Sequence, residues 1–408
     1  MSAEELIEEP VRRRLSWSNR LINGFCSQLA FGQLFLRYPD GGATLHRGRF
    51  PGASGTMEIR EPLKMASRLL TRGEVGFGES FVEGYWSTPD LAALLEVLYD
   101  NLEHLGAGPR GMRWSRLWDR LTHRLRDNHR LNSRRNIAHH YDLGNDFYGC
   151  WLDASMTYSS AVFKDFENDS LKTAQERKYH RLLDALGAQP GEHILEIGCG
   201  WGGFAELAAR RGLRVTGVTL SREQLVYARE RLATAGLADR AEFRLQDYRD
   251  IQGQFDHAVS IEMMEAVGEA FWPVYYQTLR SLVRPGGRIA LQVITINEDD
   301  FPIYRRQPDF VQLYIFPGGM LPTPERLQAE AASAGLLIRE TAWFGLDYAE
   351  TLRRWRRAFH AAEQEVVRLG YDARFRRMWD YYLAYCETGF KTGCIDLAQT
   401  LLEVPRQA

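Results

Sequence analysis

Ile194-Leu195-Glu196-Ile197-Gly198-Cys199-Gly200-Trp201-Gly202-Gly203 runs from an apolar strand into a glycine turn that opens a helix. Such a turn lets backbone N–H groups approach a nucleotide-like cofactor closely. Gly198, Gly200 and Gly203 also satisfy the G-x-G-x-x-G spacing of dinucleotide-binding domains. Three neighbouring features separate the readings. A dinucleotide fold needs an acidic residue about 20 positions further on, whereas the next strand, 213–218, leads into Thr219-Leu220-Ser221. Here the carboxylate precedes the glycines, as Glu196. Gln246-Asp247-Tyr248 then follows a strand at 242–245, and Pro285-Gly286-Gly287 precedes a strand at 288–296.

In this order the features resemble class I S-adenosylmethionine (SAM) methyltransferases rather than a glycine turn that only packs helix on strand. Strands are expected near 193–198, 213–219, 241–246, 255–262 and 287–296, separated by helical stretches such as 222–235. That alternation implies an α/β fold with a doubly wound, mostly parallel sheet. The stretch 297–393 is too long and too aromatic for a simple connection, and it is read as a helical cap interrupting the late part of the sheet. A cap rich in Trp, Tyr and Phe could enclose a long apolar substrate, although aromatic residues at helical spacing equally form plain core.

The 408 residues, 45% hydrophobic with a net charge of −2, suffice for two or three domains and give no reason to expect nucleic acid as a partner. No apolar run approaches the ~18 residues of a membrane span, and the acidic opening 1–10 is the reverse of a signal peptide. A cytoplasmic protein is expected. Five cysteines, without a C-x-x-C pair, indicate neither a disulfide framework nor a metal site. Residues 1–105 read as a small α/β unit, with strands at 34–38 and 55–60 around the turn Pro39-Asp40-Gly41-Gly42 and a helix at 63–70. Within the linker 106–135, residues 110–135 carry nine arginines against two aspartates, with Trp114, Leu117, Trp118, Leu121 and Leu125 at helical spacing. This is an amphipathic basic helix, either a linker with solvated arginines or a surface that rests on anionic phospholipid at the inner face of a membrane.

Residues 136–408 read as the methyltransferase domain, and over nearly all of 136–400 the chain carries a closer resemblance. His140 to Tyr148, Tyr158-Ser159, Leu195 to Gly203, Gly217 to Ser221 with Gln224, Leu245 to Asp250, Glu265 to Gly268, Tyr314 to Gly319, Phe344-Gly345 with Asp347-Tyr348, and Tyr381-Tyr382 with Cys386 look like the cyclopropane fatty acid synthase and mycolic acid methyltransferase family. Gly76 to Phe81 and Gly84-Tyr85-Trp86 resemble the accessory domain of its longer bacterial members.

The resemblance implies methyl transfer from SAM to a cis double bond in an acyl chain of a membrane phospholipid, with a cyclopropane as the leading product. An alkene is a weak nucleophile, so it must be held in line with the sulfonium methyl and away from water. The resulting carbocation can be stabilised by an aromatic face such as Tyr348, and a base must then take a proton. In the family that base is a bicarbonate ion, and the matching positions are Ser160, Glu265, Gln292, Ile294 and Tyr348. Ser160 stands where many members have cysteine and Gln292 where many have histidine, which leaves a ring, a methylene branch and a methylated alkene all open as products. A polar set pairing within the core is the plainer account of Glu265 and Gln292.

For SAM, the resemblance assigns Gly198, Gly200 and Glu196 to the methionine end. It gives Thr219, Ser221 and Gln224 to the ribose, Gln246 and Asp247 to the adenine edge, and Tyr158-Ser159 to closure. Ser221 is also placed to cap the following helix. Cys386 matches a marked family cysteine, but nothing near it in sequence would activate a thiol. A homodimer and an accessory reductase are compatible partners. A methyltransferase for a soluble small molecule and a lipid-binding regulator without chemistry remain as rivals.

Overall fold

The computed structural model describes residues 17–102, 104 and 143–406. The basic stretch 110–135 and the motif residues 140–142 lie outside the described residues. The chain divides into two compact units, one built from the described residues up to 104 together with Tyr371–Thr392, the other from 143–370 and 393–406.

The first unit holds a four-stranded sheet of β1 (Phe31–Arg37), β2 (Ala43–Arg47), β3 (Phe50–Ile59) and β4 (Trp86–Ser87), in the order β2-β1-β3-β4. The Pro39 to Gly42 turn joins β1 to its antiparallel partner β2, with Gly41 at φ +77° and the Gly42 N–H on Asp40 Oδ1. Strand β2 escapes the sequence reading because it is a short edge strand with no buried position. Leu34, Leu36, Met57 and Ile59 alternate inward and pack beneath the helix Leu91–Asp100. A helix spans Pro62–Val82, longer than the expected 63–70, with a break at Gly73, whose φ of +58° a side chain would resist. The helix Ala373–Lys391 belongs to this unit as well, with Arg377 Nε on the Val82 carbonyl at 2.7 Å and Lys391 paired with Glu96 at 2.6 Å.

The second unit is a seven-stranded sheet of β5 (His193–Ile197), β6 (Arg214–Thr219), β7 (Ala241–Leu245), β8 (His257–Ile261), β9 (Arg288–Ile296), β10 (Leu337–Trp343) and β11 (Ile395–Glu403). Its order is β10-β11-β9-β8-β5-β6-β7, with β9-β8-β5-β6-β7 parallel and β11 antiparallel to both neighbours. This is the doubly wound α/β sheet expected for a class I methyltransferase. Alternate residues feed two cores. Ile194, Val215, Phe243, Val259 and Ala290 pack under the helices Leu171–Leu186, Gly203–Arg210 and Arg222–Thr234. Leu195, Ile197, Ala258, Leu291 and Val293 face the helices Trp272–Leu282 and Pro324–Ser333.

The stretch 297–393, expected to be helical, contributes β10 to the sheet and gives its last helix to the first unit. No helix among the described residues is long and apolar enough to cross a membrane. Strand order reverses between β5 and β8, which opens a crevice at their carboxyl ends, the position where sheets of this kind bind ligands.

Candidate active site

The crevice is a cavity whose floor is the end of β5. Gly198, at φ +82°, lets the chain turn across β6, where the N–H groups of Gly198 and Cys199 both donate to the Val218 carbonyl at 3.0 Å. A Cβ on Gly198 would come within 3.1 Å of Met263 Cγ, so the turn needs glycine for space as well as for its dihedral. Gly200 lines the same cavity at φ +50°.

Glu196 points a carboxylate into this cavity from the last turn of β5, with 4% exposure. Its Oε2 has no hydrogen-bond partner. Burial pushes its pKa well above the ordinary carboxylate value, and the positive charges of Arg231 and Lys178 offset only part of that. A buried acceptor without a partner is costly, and the ammonium of a methionyl group would satisfy it.

Thr219 and Gln224 line the next wall, the Thr219 hydroxyl donating to Gln224 Oε1 at 2.8 Å. The amide N–H groups of Gln224 are thereby left for a ligand. Gln246 also lines the cavity, as do Tyr158 and Ser159. Two of the expected contacts are not brought to it. Ser221 is buried as the N-cap of the helix Arg222–Thr234, accepting from the Gln224 N–H. Asp247 is held by Arg249, which donates from Nε at 2.8 Å and from a terminal nitrogen at 2.7 Å, so its carboxylate serves a local turn.

The same cavity is lined, just past β8, by Glu262, a residue the sequence reading passed over. Its Oε1 accepts from the Ser160 N–H at 2.8 Å and from Gln292 Nε2 at 2.7 Å, and its Oε2 accepts from the Tyr348 hydroxyl at 2.6 Å. Three of the five positions expected around an anion therefore converge on a carboxylate of the chain itself. Gln292 is aimed by Gln399, which donates to its Oε1 at 2.8 Å and is itself held by Arg181 Nε at 3.0 Å. Glu262 has φ +51°, a conformation uncommon outside glycine.

The other two expected positions meet each other, the Ile294 N–H donating to Glu265 Oε1 at 2.5 Å. Glu265 Oε2 has no hydrogen-bond partner, and burial beside Glu262 pushes this carboxyl up to about 8. Glu265 is thus a neutral acid near pH 7, beside Glu262. Burial raises Glu262 too, against the pull of Lys178 and its three donors. Lys178 is wholly buried, donates to Ser159 Oγ at 2.5 Å and is lowered to about 7 by that burial. The signal that could have found Glu262 is the pair Glu262-Met263-Met264-Glu265 directly after a buried strand, since two acids so placed face one crevice. Cys386 lies in the helix Ala373–Lys391, grouped with the first unit, and is not among the cavity-lining residues.

The family model described as mycolic acid cyclopropane synthetase matches residues 128–400. The chain is 42% identical over 396 residues to a tuberculostearic acid methyltransferase of Mycobacterium tuberculosis, covering 94% of this chain and 90% of that protein. It is 33% identical over 362 residues to the cyclopropane-fatty-acyl-phospholipid synthase of Escherichia coli, covering 86% and 88%. Among solved structures, the mycolic acid cyclopropane synthase CmaA1, complexed with SAH and CTAB, superposes with a TM-score of 0.62 at 28% identity, covering 66% of this chain and 98% of that one.

Proposed function

Because the chain belongs to the mycolic acid cyclopropane synthetase family of SAM-dependent lipid methyltransferases, we propose that it methylates a carbon of a cis double bond in an acyl chain of a membrane phospholipid. The observation that carries this reading is one cavity lined both by Glu196, with an unpartnered carboxylate oxygen, and by Glu262, the centre of a hydrogen-bonded cluster. The first suits a cation and the second suits a proton in transit.

When bound, SAM supplies an electrophilic methyl group. Glu196 would hold the methionyl ammonium, Gly198 and Gly200 would allow close backbone approach, and Gln224 and Gln246 would meet the ribose and the base. Tyr158 would close over the methionyl part, backed by Trp355 and Trp151 at ring-centroid distances of 5.3 and 5.6 Å. Such a closure would help keep water from a cation formed on the acyl chain.

For the product, the relative named as a tuberculostearic acid methyltransferase shares more identity than the relative named as a cyclopropane synthase. That favours a methyl- or methylene-branched chain, with the ring as the second reading. A methylene product would call for a reductase to saturate it.

The test uses vesicles whose phospholipid carries a cis-monounsaturated chain, with SAM bearing a deuterated methyl group. Label in the fatty acids is the expected result. Mild hydrogenation then separates the outcomes, because an alkene takes up hydrogen while a ring does not. Label only in soluble acceptors would overturn the lipid reading.

Binding should also depend on pH. In the free protein the raised pKa of Glu196 keeps a proton that the ammonium must displace, so binding releases protons. Affinity for SAM is expected to climb with pH until the free carboxyl is ionised, with calorimetric heats that differ between buffers of different ionisation enthalpy. Heats independent of the buffer would show that Glu196 is already ionised.

A further inference from the structure

The resemblance to the family calls for a bicarbonate ion held by Ser160, Glu265, Gln292, Ile294 and Tyr348. The residues present do not fit one. The Ser160 N–H, the Gln292 amide and the Tyr348 hydroxyl are all engaged by the Glu262 carboxylate, and the Ile294 N–H is engaged by Glu265. A free anion added there would find its donors taken and a like charge beside it. Resting on the proposed methyl transfer to an alkene, we propose that Glu262 is the catalytic proton acceptor, its carboxylate built into the place where the family holds a diffusible anion.

Geometry supports this in three ways. Glu262 lines the same cavity as Glu196 and Gly198, so its side chain stands beside the space where the methyl group would be delivered. Its backbone is held at φ +51°, and such strain persists where the surroundings enforce it, often at a site of chemistry. Its donors are themselves fixed, Gln292 through Gln399 and Arg181. The substitutions at the two altered positions follow from the same cause. Serine at 160 contributes its backbone N–H while its hydroxyl turns away to the Ala161 carbonyl at 2.9 Å. Glutamine at 292 offers a neutral donor to Oε1, where a second ionisable ring would compete for the proton.

The step balances on these atoms. The alkene π pair forms the new carbon–carbon bond as the sulfur–methyl bond breaks, its electrons staying on sulfur, and a cation is left on the acyl chain. For the ring, a C–H bond of the new methyl group breaks and its pair closes onto the cation; for a methylene branch a hydride first shifts from the methylated carbon to the cation and a methyl C–H pair then forms the double bond; in each case the proton passes to a Glu262 oxygen. The neutral acid loses that proton to solvent when product leaves. Lys178 favours the ionised form, as its charge opposes the effect of burial on Glu262.

The experiment compares wild type, E262Q and E262G in carbonate-free buffer under argon and in the same buffer with added bicarbonate, by label transfer to vesicle lipid and by thermal melting. Glycine suits a backbone at φ +51°, and a SAM-induced rise in melting temperature reports that each variant is folded. Wild type is expected to work equally in both buffers, and bicarbonate should not shift its melting. Both variants should lose about a hundredfold or more in carbonate-free buffer, the lower range of what a positioned base contributes. Bicarbonate should restore about tenfold to E262G, in which the anion fills the vacated donors, and raise its melting temperature.

E262Q keeps the space filled and should stay inactive. Activity of E262Q within about threefold of wild type, or bicarbonate that both stabilises and activates the wild type, would overturn the assignment. If wild type transfers no label to lipid, the proposed function fails by itself, and the melting response of wild type and E262G to bicarbonate still decides whether Glu262 fills the anion site.

Discussion

Glu196→Ala is expected to abolish the SAM-induced rise in melting temperature and to weaken SAM binding by about two orders of magnitude, the scale of losing one partner from a buried hydrogen-bonded charge pair. Glu196 enters the cavity from β5, the strand flanked on both sides by parallel partners, so its position is set by the sheet and not by a mobile loop. Its unpartnered Oε2 means that no internal hydrogen bond must break when a ligand arrives. The same vacancy makes the substitution safe for the fold. Removing a desolvated carboxyl whose protonation burial already favours should leave unfolding by denaturant unchanged or slightly harder. A variant that binds SAM within about threefold of wild type would remove Glu196 from the cofactor site.

Lys178→Met is the second large effect, expected to lower turnover by about a hundredfold near neutral pH through the base it supports. Lys178 is buried beside the cavity, bonded to Ser159, and its positive charge holds down the pKa of Glu262. Without it the Glu262 carboxyl is protonated to higher pH, so the acid limb of the rate profile should move upward and alkaline buffer should recover part of the activity. A scaffold effect alone would lower the rate at every pH equally.

Stability should respond in a linked manner. Burial lowers Lys178 from its ordinary value to about 7, so above that pH the unfolded chain binds a proton that the folded chain does not. Wild-type stability therefore gains from this group as pH rises above about 7 towards the ordinary lysine value, and below about 7 the folded state carries the full cost of a buried cation. Denaturant midpoints should show that slope in wild type and a shallower one in the methionine variant.

The parallel strands were legible in the sequence to within two residues, the central β5, β6 and β8 because burial on both faces makes them short runs closed by turn residues, with no alternation to misread. Strand β10 was not, since six of its seven residues are exposed and it carries Arg339 and Glu340 amid apolar neighbours. The aromatic run after 370 was read as a substrate cap, whereas Trp379, Tyr381 and Tyr382 are buried in the helix that joins the first unit. Spacing alone does not say which surface a stripe will cover.

At the site, the resemblance led to residues around Glu262 but not to Glu262 itself, because only the positions matched to the family's motif were carried over. For Asp247 the structure supplies a local account. An arginine two residues on can fold back over an aspartate at a turn, and Arg249 does so.

The left-handed backbone at Glu262 also has an evolutionary meaning. Glutamate and glycine codons differ by one base, and this backbone accepts glycine without rearrangement, so a single mutation can exchange a built-in base for an empty anion site. On the proposal above, a chain that carries the carboxylate would not depend on dissolved carbon dioxide, and its methyl transfer would continue unaltered when the surroundings are poor in it.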